Sequence, residues 1–146
     1  MTDADHPAGS RFADALDTAE RLLGAPLEPH LRRVPGEPVN GDDFTRLATL
    51  HTFGDVWSRT QYLDDRTRAL VSVTIAATLG TTEPLRGQLR IALHCGVPPE
   101  QIVEVFIQLA AYAGAARAFS SYAVAREVFT ERVEQSWPPA ATGRTG

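Results

Sequence analysis

Lysine is absent from this chain: all fourteen basic residues among its 146 are arginine. A chain without lysine cannot form a Schiff base through an amine side chain of its own. Cysteine occurs once, at Cys95, which excludes an internal disulfide, a CxxC redox pair and a multi-cysteine zinc site. The four histidines, His6, His30, His51 and His94, show no HExxH or comparable metal spacing. No metal and no cofactor are therefore expected. No apolar run reaches the roughly 20 residues that a membrane span requires, and the start, Met-Thr-Asp-Ala-Asp-His, is the opposite of a signal peptide. With a net charge of −4, no basic block and no aromatic–basic patch, nucleic acid is not an expected partner. A hydrophobic share of 43% and a charged share of 22% fit one soluble, cytoplasmic domain with a real core.

What is there is helical periodicity. In Pro99 to Gly114, the residues Ile102, Phe106, Leu109 and Ala113 recur at helical spacing and form an apolar stripe. Glu104, Gln108 and Tyr112 sit four apart beside it, so a carboxylate, an amide and a phenol form one ridge. Such a ridge can line a cavity or be a solvated flank.

In chain order, residues 1–9 are expected to be disordered. Phe12, Leu16, Ala19 and Leu23 mark a first helix that stops at Gly24. Pro26, Pro29, Pro35 and Pro38 make residues 25–40 an arm without regular helix or central strand. Asn40 or Asp42 can cap a second helix running through Phe44, Leu47, His51 and Trp57. His51 shares the face of Phe44 and Leu47, as a half-buried histidine or an acid/base group. Trp57 is a core aromatic or a substrate wall.

Asp64 caps a third helix, Asp65 to Leu79, which is apolar nearly all round and is expected to be central and buried. Arg68 lies on the line of Ser72 and Ile75, where a cation needs an anionic partner. That partner is either Glu104 or a substrate carboxylate. A fourth helix runs from Thr82 to His94, with Leu85, Leu89 and Ala92/Leu93 facing the core and Arg86, Gln88 and Arg90 on an exposed face. The fifth is the organising helix. The sixth runs from Ala115 to about Gln135, with Phe119, Phe129 and Val133 inward, boundaries holding to a few residues. The expected fold is all-α, one helical domain over residues 10–137 and a flexible tail over 138–146.

Several blocks then resemble, in order and spacing, the γ-carboxymuconolactone decarboxylase branch of the carboxymuconolactone decarboxylase family. They include Glu20-Arg21-Leu22-Leu23-Gly24, Phe53-Gly54-Asp55-Val56-Trp57-Ser58-Arg59, Leu63-Asp64-Asp65-Arg66-Thr67-Arg68, Ala92-Leu93-His94-Cys95-Gly96-Val97, and Glu100 to Val105 with Gln108 and Tyr112-Ala113-Gly114. The resemblance implies a six-helix carboxymuconolactone decarboxylase/AhpD-like subunit, assembled as a homo-oligomer, trimer or hexamer, with pockets at or near subunit contacts. It implies removal of carbon dioxide from a small carboxylated lactone without a cofactor.

Two departures accompany it. The family's Glu-Leu-x-x-His block reads Pro84-Leu85-Arg86-Gly87-Gln88 here, so the proton-transfer histidine is Gln88, which cannot shuttle a proton near neutral pH. The CxxC of the thiol-peroxidase branch reads Thr81-Thr82-Glu83-Pro84, which removes that activity. The catalytic candidates are Glu104, His51, Tyr112 and Gln88; the substrate-binding candidates are Arg68, Trp57, Gln108 and His94. The expected function is a decarboxylase, or a related lyase, isomerase or cyclase, acting on a carboxylated lactone, β-keto acid or cyclic polyketide-like substrate. The alternative is a non-catalytic homo-oligomeric scaffold of the same fold. A pocket lined by Trp57, Arg68, Glu104 and Tyr112 would favour the enzyme.

Overall fold

The computed structural model describes residues 8–136. The expectations for the first seven residues and for the tail from 137 onward lie outside the described residues, as does His6. Six α-helices follow one another: α1 (Ala8–Leu23), α2 (Gly41–Thr49), α3 (Asp65–Leu79), α4 (Thr82–His94), α5 (Pro99–Ala113) and α6 (Ala115–Ser136). Among the described residues there is no strand, and none of their helices is long and apolar enough to cross a membrane. The all-α expectation holds. Helix α1 begins at Ala8, two residues inside the stretch expected to lack structure.

The core is built on the α3–α4 hairpin, with α5 and α6 as a second hairpin packed against it. Leu85, Leu89 and Ile91 of α4, Val73 of α3, Ile102 of α5 and Val128 of α6 are all at most 2% exposed. Two ion pairs tie α4 to α6: Arg86 to Glu127 at 2.7 Å and Arg90 to Glu131 at 3.0 Å. Both pairs advance four residues on each helix, so α4 and α6 run in the same direction. The pairing with Glu127 raises the Arg86 pKa above its ordinary value.

Glycine settles one junction. Gly80 ends α3 in the left-handed region, with φ +72°, which costs other residues strain. The Arg117 guanidinium lies where a side chain at Gly80 would start, placing a cation over the negative end of α3.

Several expectations about which side faces inward fail. Helix α3 is not buried all round: Val71, Ile75 and Leu79 are 45%, 55% and 67% exposed. On α6, Phe119 and Val133 point outward at 77% and 60%, while Ala118, Ser121, Val124, Ala125 and Val128 face the core. The small residues on that face let the helices approach closely, and the Ser121 hydroxyl donates to the Ala77 carbonyl at 2.9 Å. On α2, Phe44 and Leu47 are exposed, and neither Asn40 nor Asp42 supplies a side-chain cap. The proline-rich arm holds one short 3₁₀ turn, Glu28–Leu31, opened by Pro29.

Candidate functional site

Asp64 caps α3 as its sequence position suggests. Its carboxylate accepts the Thr67 backbone N–H at 2.8 Å, and that bond holds its pKa below the usual 3.8. One turn on, Arg68 is half-buried. Its Nη2 donates to the Arg59 carbonyl at 2.6 Å, while its Nε is buried with no partner. Among the described residues no carboxylate pairs with it, so the structural Arg68–Glu104 pair is absent. A guanidinium left this way is costly, and an incoming anion would relieve it.

Gln88 departs from the exposed-face expectation. It is half-buried, and its Oε1 is fully covered without a donor. The signal lay in the spacing: Gln88 is three residues after Leu85 and four before Ala92, both core positions, so it borders the apolar stripe. Arg86 is also drawn in, with its side chain 20% exposed.

The α5 ridge does not line a cavity within one chain. Glu104 and Gln108 are exposed and Tyr112 is 85% exposed, while Ile102, Phe106 and Leu109 of the neighbouring stripe are buried. Between α5 and α6 lies an apolar groove of about 280 Å³, with Phe106, Ile107, Phe119 and Tyr122 among its walls. Phe106 and Tyr122 meet there edge to face, with ring centroids 5.4 Å apart.

Trp57 is 3% exposed within the core and is no substrate wall in the single chain. Before it, the second helix widens into a π turn, Leu50–Val56, a distortion that often marks functional sites. His51 is outside the core, with its side chain 78% exposed and its Nδ1 3.7 Å from the Asp55 carboxylate; Arg11 holds the other Asp55 oxygen at 3.1 Å. His51 is exposed together with Phe44 and Leu47, so the face expected to be half-buried points outward as a whole. His94 is removed from the other candidates. It lies against Gly24 at the end of α1, in a groove of about 580 Å³ between α1, α4 and α6.

Behind the start of α3, Asp65 binds Arg21 through one carboxylate oxygen and leaves the other buried without a partner. Cys95 is beside this pair. Burial, and then the Asp65 charge, push its thiol pKa above the ordinary value of 9.0, with Arg21 opposing. Such a thiol is a poor nucleophile.

Comparison with known proteins follows the same elements. The Carboxymuconolactone decarboxylase family matches residues 42–127, from α2 into α6. The chain is 30% identical over 123 residues to the 4-carboxymuconolactone decarboxylase of Acinetobacter baylyi, an alignment covering 83% of this chain and 88% of that protein.

Proposed function

Because this chain belongs to the carboxymuconolactone decarboxylase family, we propose that it is a cofactor-independent lyase, or a related isomerase or cyclase, for a small carboxylated lactone, β-keto acid or cyclic polyketide-like substrate. The observation that carries this reading is the pair of buried, unpartnered polar atoms Arg68 Nε and Gln88 Oε1. Buried polar groups are normally satisfied, and these two sit on the paired helices α3 and α4 that form the centre of the fold.

In this reading Arg68 anchors a substrate carboxylate. When the carbon–carboxylate bond breaks, carbon dioxide leaves and the electron pair moves into the conjugated carbonyl system. Tyr112 donates a hydrogen bond to that oxygen, and Glu104 delivers a proton to the carbon that lost the carboxylate. Gln88 positions substrate through its amide but transfers no proton. His51 is the second choice for the acid, and Gln108 extends the polar wall beside Glu104. Trp57 supports the site from the core.

Glu104, Gln108 and Tyr112 face outward, so the site is completed where two copies meet. The outward apolar residues Val71, Ile75 and Leu79 support a homo-oligomer, trimer or hexamer. Arg68, Ser72, Ile75 and Leu79 follow one line along α3, which puts the anion-binding residue at the edge of that contact.

The test is turnover of 4-carboxymuconolactone by the wild type and by Gln88→His. Loss of a positioned acid/base costs about 10²–10⁴-fold, so the wild type should be slow and the histidine variant faster. Wild-type turnover undiminished by Glu104→Gln and His51→Gln would refute the proton assignment. A second reading, a homo-oligomeric scaffold without chemistry, rests on the core position of Trp57 and the outward α5 ridge. It is favoured if neither protein consumes carboxylated lactones or β-keto acids.

A further inference from the structure

We propose that the groove between α1, α4 and α6 is a separate binding site for a small organic anion with an apolar body, held by Arg132 and His94. It is distinct from the reaction site and does not depend on the reading above. At about 580 Å³ it is within the usual range for small-molecule clefts, about 300–1,000 Å³. Its apolar walls include Leu93 and Val128, 7% and 2% exposed.

The polar groups on its rim have one unspent charge. Glu131 is taken by Arg90 at 3.0 Å and lies 3.9 Å from Arg86. Arg132 has no ion pair or hydrogen bond among the described residues. The same holds for the His94 ring, which lies against Gly24: a Cβ there would sit 2.7 Å from its Cε1 and 2.9 Å from its Nδ1. Gly24 has φ +73°, so this glycine both ends α1 and leaves room for the imidazole. Arg132 and His94, both exposed, thus line one groove with the buried Leu93 and Val128, and the carboxylate beside them, Glu131, is engaged by Arg90. That combination suits a carboxylate carried on a flat hydrocarbon ring.

Benzoate and benzamide, which share a ring and differ in charge, test this by titration calorimetry on the full chain. Benzoate should bind at least about tenfold more tightly than benzamide, the difference expected of one charge-assisted hydrogen bond. Arg132→Gln should abolish that difference, His94→Gln should reduce it, and Arg126→Gln, an exposed arginine of α6 away from the groove, should leave it intact. The backbone amide signals of Gly24 and His94 should move on titration. Equal affinity for the two probes would overturn the proposal, as would no heat with millimolar benzoate, undiminished binding by Arg132→Gln, or loss of binding in Arg126→Gln.

Discussion

Replacing Arg68 by methionine keeps the side-chain stem and removes the guanidinium, and it separates the structural from the functional meaning of this residue. Two stability effects oppose each other. The variant loses the 2.6 Å bond to the Arg59 carbonyl. A hydrogen bond to a charged group is worth about 1.5–3 kcal/mol when enclosed, and nearer ~1 kcal/mol for a half-exposed group. It also removes the buried, unpartnered Nε, a relief of about 1–3 kcal/mol. The net change should lie between about zero and 2 kcal/mol in the variant's favour, a rise of at most about 8 °C in Tm for a chain of this length. Substrate loses a charge-assisted contact worth about 1.5–3 kcal/mol, so kcat/KM should fall about 10- to 150-fold. The assay is 4-carboxymuconolactone turnover in the Gln88→His background, with thermal unfolding of the same preparations. A Tm loss above roughly 8 °C with kcat/KM unchanged would make Arg68 a purely structural residue and remove the anion clamp from the mechanism.

Ile75→Glu puts a charge on the outward apolar line of α3, and light scattering should show a shift from a multiple of 15.8 kDa toward the single chain; a wild type already monomeric at micromolar concentration refutes the assembly. Leu89, fully buried, should cost about 2–5 kcal/mol as Leu89→Ala, read as a lower denaturant midpoint; a change below about 1 kcal/mol would mean the core has been misplaced. Cys95 should react with iodoacetamide more slowly than a free thiol at pH 8, and accelerate only as pH rises past the ordinary 9.0; fast labelling of the folded protein contradicts its burial. Asp64 has a depressed pKa in the folded state, so its stabilisation is present above about 3.8 and disappears as pH falls below that value. The wild type should accordingly lose more Tm than Asp64→Asn between pH 5 and pH 3, and equal losses would deny the cap.

The helix order and the extents of α3 to α6 were legible because their punctuation is chemical. Asp64 caps, Pro84 and Pro99 fall in first turns, and Gly80, Gly96 and Gly114 stop what precedes them. Rotation about the helix axis was less legible. On α6, large apolar residues at Phe119 and Val133 outweigh Ala118, Ser121 and Ala125 in any reading by hydrophobicity, yet the small residues are the ones that let α6 approach α3 and α4. The outward turn of α2 leaves no mark in apolar spacing either: Phe44 and Leu47 read as a core face, yet both are exposed and His51 is exposed with them. Of the site, the positions of Arg68 and Trp57 were partly foreseen. The burial of Gln88 was not, because an amide beside arginines looks solvated until the neighbouring core positions are counted.

Two kinds of incompleteness coincide on α3. One is polar, the Arg68 Nε without an acceptor; the other is apolar, the uncovered Val71, Ile75 and Leu79. If the apolar residues served folding alone, they would be turned inward like Val73 and Ala77. If Arg68 served stability alone, a carboxylate of the chain would face it, as Glu127 faces Arg86. In the proposed reading, placing both on one helix would give assembly and substrate binding a common origin. Burying the apolar line lowers the local dielectric around the guanidinium, which strengthens its attraction for a carboxylate and raises the cost of leaving it empty. Anion binding at Arg68 should therefore strengthen as copies associate and weaken on dilution, and by linkage a bound anion should favour the assembled state.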